Sequence, residues 1–171
     1  MIWEQATLGT LYNVAINMRQ KDYEEISALT FCNNKSELAD HLSRSWSNHA
    51  TSIVCGTKED GAIAALTYIP TRKGVYNCGL YATNKFQKIH ISLTKLIINS
   101  IIPVLNKAKA HRIEAQSIDG YTTVHNWLRF LGFKEESVLR NYGRNKENFI
   151  NFAIILNEQD DFNWRKRGVV V

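Results

Sequence analysis

The sequence predicts a mixed α/β (α+β) domain, a mostly antiparallel sheet of about seven strands flanked by about four helices. Three observations predict it. The apolar runs "SIVCGT" (Ser52–Thr57) and "AIAALTYI" (Ala62–Ile69) flank the polar break "KEDG" and read as a hairpin. After Lys85 the period becomes helical, with Ile89, Leu93, Leu96, Ile97, Ile101 and Leu105 on one face. Strand-like runs on both sides of that helix, "VYNCGLYA" (Val75–Ala82) and "RIEAQSI" (Arg112–Ile118), require one parallel pair joined by a crossover.

The elements follow in order. "YNVAINM" (Tyr12–Met18) has the composition of a first strand. "KDYEEISAL" (Lys21–Leu29) is a short helix with Asp22, Glu24 and Glu25 near its positive end. "SELADHLSRSWSNH" (Ser36–His49) is a second helix; Ser36 can cap it, and Leu38, Leu42 and Trp46 recur every four residues. The hairpin comes next, and "PTRKG" (Pro70–Gly74) turns it into "VYNCGLYA". In the long helix Pro103 removes the hydrogen bond to the Asn99 carbonyl, which predicts a kink or a restart. Asp119-Gly120 makes a turn, and "TTVHNWLRFLGF" (Thr122–Phe133) is an amphipathic helix that stops at Gly132. "EESVLRNYG" and "NFINFAIIL" flank "RNKE" as a closing hairpin. The domain is expected over 11–156, with 157–171 as an extension that carries Phe162, Trp164 and an "RKR" cluster.

A chain of 171 residues, 44% hydrophobic and 22% charged, has length and apolar content for a real core. Its formal charge of +5 suits an anionic ligand without demanding one. Lys and Arg are spread along the chain with no basic stripe interleaved with aromatics, which argues against nucleic acid as a partner. Cys32, Cys55 and Cys78 form no CxxC pair, so neither a disulfide framework nor a zinc site is expected. No apolar stretch is long enough for a membrane span, and a cytoplasmic chain is expected, or one made there and assembled elsewhere.

The element order resembles the GNAT (Gcn5-related N-acetyltransferase) superfamily. "NWLRFLGF" is similar to the helix that ends in that family's Leu-Gly-Phe corner, here Leu131-Gly132-Phe133. "RIEAQSI" is similar to its fifth strand and "ESVLRNYGRNKENFINFAIIL" to its closing hairpin. The resemblance implies acetyl-CoA wedged where the fourth and fifth strands splay, with its pyrophosphate on the start of the long helix. There the loop pattern is Gln/Arg-x-x-Gly-x-Gly/Ala. A helix start suits phosphate because its N–H groups are unpaired and its dipole end is positive.

Laid on this chain, the pattern covers Gln87, Lys88, Ile89, His90, Ile91 and Ser92. Gln87 matches and Ser92 is small, while His90 stands where the first glycine belongs. Either Lys88 and His90 contact phosphate through their side chains or His90 fills the site; outside the resemblance, such residues at a helix start are more often solvated surface. The resemblance also implies that the Tyr81–Ala82 backbone pairs with the pantetheine arm. The family's proton-donating tyrosine corresponds to Leu128, leaving Tyr121 and His125 as replacements, although aromatic residues at a helix start more often pack or cap. The fourth strand has no carboxylate, and Glu114 on the next strand is the nearest candidate base. Ser117, Asp119 and His125 suggest a nucleophilic triad, but no strained nucleophile turn surrounds Ser117.

Three readings follow. The first is an N-acyltransferase that moves an acetyl group from acetyl-CoA to an unknown amine. The second is a non-catalytic protein of the same fold, since the later half is similar to internal virion proteins of short-tailed phages; its partners would be phage structural proteins, with 157–171 as a docking arm. The third, a nucleic-acid module, ranks last.

Overall fold

The computed structural model describes residues 1–156. It contains strand β1 (Ile2–Gln5), helices α1 (Leu8–Ile16), α2 (Gln20–Ser27) and α3 (Lys35–Ser47), and strands β2 (Ser52–Thr57), β3 (Gly61–Arg72) and β4 (Val75–Ala82). A 3₁₀ turn (Phe86–Lys88) leads into α4 (His90–Leu96), a π turn (Ile97–Ile101) and α5 (Ile102–Lys107). Then come β5 (Arg112–Ile118), α6 (Thr122–Phe130), β6 (Lys134–Leu139) and β7 (Phe149–Ile155). The seven strands form one sheet in the order β1-β2-β3-β4-β5-β7-β6. Only β4 and β5 pair in parallel; every other neighbouring pair is antiparallel. The mixed, mostly antiparallel sheet is as expected, with five helical rods in place of about four.

Tyr12–Met18 is the clearest correction, because those residues belong mainly to α1 and not to a strand. Thr7 caps the helix, its side chain accepting from the Thr10 amide while the Thr10 hydroxyl accepts from the Thr7 amide. Leu11, Val14, Ala15 and Met18 then fall at helical spacing and are all buried. β-branched and aromatic composition was the misleading signal. The true first strand, Ile2–Gln5, is exposed along its length, so no burial pattern marks it.

Other boundaries moved for local reasons. Asn34, not Ser36, caps α3, accepting from the Glu37 amide at 2.9 Å. β3 continues through Pro70 to Arg72, with a register shift that accommodates the proline. The break at Pro103 takes the form of a π turn, in which the Ile102 amide donates to the Ile97 carbonyl before α5 restarts. Gly132 ends the α6 corner at φ 97°, as its position predicts.

Two apolar layers cover the sheet. Leu11, Val14, Leu38 and Leu42 pack with Val54, Ala65 and Tyr81 on the α1/α3 face. Ile63, Leu93, Ile98, Leu131 and Phe152 belong to the layer on the opposite, α4–α6 face. Among the described residues no helix is long and apolar enough to cross a membrane.

Candidate active site at the parting of the central strands

The parallel β4–β5 pair lasts for only three residue pairs, Val75 with Arg112, Tyr76 with Ile113 and Asn77 with Glu114. Beyond them β4 stays with β3 and β5 stays with β7, so a gap opens between the two central strands. At its far end the Ala82 amide donates to Asp22 Oδ2 at 2.9 Å, and the Ala82 carbonyl accepts from the Arg19 amide at 2.8 Å. Both groups therefore point away from β3. Strand alternation turns the N–H and C=O of Leu80 and Cys78 the same way; the Cys78 amide still belongs to the last parallel pair, with Glu114, while the Cys78 carbonyl and both groups of Leu80 face the gap, where no strand pairs with them among the described residues.

Helix α2 bridges the gap. Asp22 and Glu25 are three residues apart and so share a face. Besides the Ala82 amide, Asp22 accepts from the Arg19 guanidinium at 2.9 Å and from the Tyr121 hydroxyl at 3.0 Å. Glu25 reaches β5 with one oxygen, Oε2, which accepts from Ser117 Oγ at 2.7 Å and the Ile118 amide at 2.9 Å. Burial pushes its pKa up to about 7 against the opposing pull of those two hydrogen bonds. Glu25 Oε1 has no partner among the described side-chain hydrogen bonds.

A cavity of about 670 Å³ runs through this gap. On the α2/α3 face Arg19, Asp22, Glu25, Trp46, Asn77 and Gln116 line it. Asn77 Oδ1 is buried there without a hydrogen-bond partner, an arrangement that costs stability unless something fills it. On the α4–α6 face the lining is apolar apart from Gln87, His90 and Thr123. Gly79 keeps the passage open beneath Trp46, since a Cβ there would come within 2.9 Å of the indole.

The residues expected from the phosphate-loop pattern are dispersed. Gln87 and His90 line the cavity. The His90 imidazole folds back so that Nδ1 lies 2.9 Å from the Gln87 carbonyl. Lys88 is turned away and pairs with Asp60 at 2.8 Å; Lys85 pairs with the same carboxylate at 2.9 Å. The bonds from Lys88 and Lys85 hold Asp60 down to about 2. Ile89 is buried in the core, while Ile91 and Ser92 are exposed. Tyr81 is fully buried against Trp46, and its hydroxyl donates to the Leu11 carbonyl at 3.3 Å. By alternation its backbone faces β3, and Ala82 is engaged by α2. The edge open to a ligand is thus the Cys78 carbonyl and the Leu80 backbone, not Tyr81 and Ala82.

The expected catalytic candidates are committed elsewhere. The Tyr121 hydroxyl donates to Asp22, and burial together with the Asp22 charge pushes its pKa up. His125 is buried with Nε2 at 3.0 Å from the Ile118 carbonyl. Glu114 pairs with Arg72 and Arg112. None of the three lines the cavity. Ser117 bonds Glu25 and no triad with Asp119 and His125 forms. Leu128, which the resemblance sets where that family has its tyrosine, does line the cavity. The sequence reading missed Glu25, Asn77 and Gln116. In the sequence Asp22 and Glu25 read as complements to the helix dipole; their three-residue spacing is the signal that sets them on one face.

No family model and no curated protein matches the sequence. Solved structures do match the fold. A ribosomal-protein-alanine N-acetyltransferase from Brucella melitensis superposes with TM-score 0.69 at 15% identity, over 91% of this chain and 100% of that one. A GNAT-family acetyltransferase from Bacillus anthracis gives 0.67 at 13% identity, over 90% and 93%. An N-acetyltransferase from Staphylococcus aureus Mu50 gives 0.68 at 14%, over 91% and 98%.

Proposed function

We propose that this chain, which has the fold of the GNAT acetyltransferases, is an N-acyltransferase that draws its acyl group from a CoA thioester such as acetyl-CoA and passes it to an amine. The observation that carries this reading is the cavity through the β4–β5 gap, which joins an open strand edge to a buried carboxyl group.

The chain's groups divide the work by face. Asn77 Oδ1 and Glu25 Oε1 accept hydrogen bonds from an amine on the α2 face, and Glu25, with its pKa near neutrality, takes the amine's proton as the C–N bond forms. The Leu80 amide donates to the acyl oxygen as it gains charge. The CoA thioester supplies an activated carbonyl and a leaving thiolate. A thiol of pKa about 8.5 departs without help, so the apolar Leu128 is no obstacle. Gln87 and His90 sit at the mouth, toward the phosphates.

Titration of the purified chain with CoA tests this by mass action: ligand binding to the folded state raises the melting temperature. A rise of several degrees at millimolar CoA is expected. No rise overturns the reading.

A second reading, a non-catalytic phage structural protein of this fold, is favoured by one observation. His90 fills a glycine's place while Lys88 is drawn off by Asp60. It expects no CoA-induced shift and stable association with phage particles. The docking-arm role imagined for 157–171 lies outside the described residues.

A further inference from the structure

The two halves of the cavity differ in chemistry, and we infer that the half beneath α4 and α5 holds the donor's acyl chain, and that this chain is longer than acetyl. The inference rests on the acyl-CoA reading and adds the class of donor.

Strand alternation makes the division. Asn77 and Gly79 face α3 with the polar groups, whereas Cys78 and Leu80 face the α4–α5 rod. Tyr68, Ile101, Leu105, Ile113 and Phe133 complete that half with no charged side chain. β4 is the middle strand of seven, yet Cys78 and Leu80 are only partly buried. Their exposure is to the internal space, since both line the cavity, and burial there pushes the Cys78 thiol up to about 12. Protein interiors are close-packed, so an apolar space on this scale is the mark of a ligand chamber.

The π turn accounts for the room. Ile97 and Ile101, its first and last residues, both line the chamber. The wide turn is the form the helix takes just ahead of Pro103, whose missing N–H and bulky ring disfavour a regular turn. Lining residues extend along the rod from His90 to Leu105, roughly 20 Å at the rise of a helix. Toward Leu105 and Ile113 the lining is apolar, and this suits a hydrocarbon chain better than pantetheine amides or phosphates.

Calorimetric titration of the full chain with CoA, acetyl-CoA, octanoyl-CoA and octanoate tests the inference. Octanoyl-CoA should bind at least tenfold more tightly than acetyl-CoA, because each buried methylene adds affinity. If the two bind equally while CoA binds, the chamber assignment is overturned and the acyl-CoA reading stands. If octanoate binds and no CoA species does, the acyl-CoA reading falls and the chamber stands. If nothing binds, both fall. Ile101→Trp, which fills the chamber, should return octanoyl-CoA to the affinity of acetyl-CoA. Cys78→Phe is the second variant should the first fail to fold by circular dichroism. Chain-length preference kept in a folded variant of either kind overturns the inference.

Discussion

Glu25 has two tasks that pull its pKa in opposite directions. Its hydrogen bonds from Ser117 and Ile118 favour the carboxylate, and its burial, the larger effect, favours the acid. With the folded pKa raised from 4.5 to about 7, the folded chain binds more protons than the unfolded one between those values. Stability therefore falls as pH rises through that window, by up to about 3 kcal/mol. Glu25→Gln keeps an acceptor for both donors and removes the charge. Urea unfolding at pH 5 and pH 8 should show the variant less pH-dependent than the parent and more stable at the higher pH. If Glu25 is also the base, kcat/KM should drop about 100-fold or more. A parent curve that is flat from pH 5 to 8 would show that the carboxyl is not buried as described.

The helices obtain their limits from caps that composition only partly reveals. Asn34 and Ser36 both precede an apolar-periodic run, and either could serve; the structure uses Asn34, whose extended backbone aims its side chain at the Glu37 amide. Asn34→Ala should cost about 1 kcal/mol, a fall in Tm of about 2–4 °C for a domain of this size. Ser36→Ala should change stability by less than about 0.5 kcal/mol. Equal effects at the two positions would contradict the cap assignment. The same competition between local signals explains α1. Tyr12, Val14 and Ile16 suit a strand, but the Thr7 capping box and the burial of every third or fourth residue decide for helix. Where one signal prevailed, as in β2, β4 and β5, the limits read from the sequence stand.

In the whole molecule the sheet is nearly two sheets. β1–β4 and β5–β7 meet at three residue pairs, and α2 ties the parted ends, with Asp22 on β4 and Glu25 on β5. Asp22 is the more heavily used tie, since it is buried and also holds Arg19 and Tyr121. Asp22→Ala should cost about 3 kcal/mol or more, because it leaves a charge and two donors without their partner. Hydrogen exchange should quicken at Ala82 before it quickens in β2 or β7. Unchanged exchange at Ala82 would mean that α2 does not clamp the gap.

Order, period and turn chemistry are local properties, so the run of strands and helices, the crossover, the Gly132 corner and the break at Pro103 could be read from the chain alone. The resemblance extended that reading to the fold, and the superpositions agree with it. The site was different. Gln87 and His90 do reach the cavity, but Lys88 is captured by Asp60 from a distant turn, Tyr121 and Glu114 are spent on partners far along the sequence, and His125 is held by the Ile118 carbonyl seven residues back. Glu25 meets Ser117 and Ile118 across more than ninety positions. No periodicity records such a meeting, because it depends on where the sheet parts and which helix crosses the opening. The same holds for the cavity, whose two chemistries come from the alternation of a single strand, β4, between two helical layers.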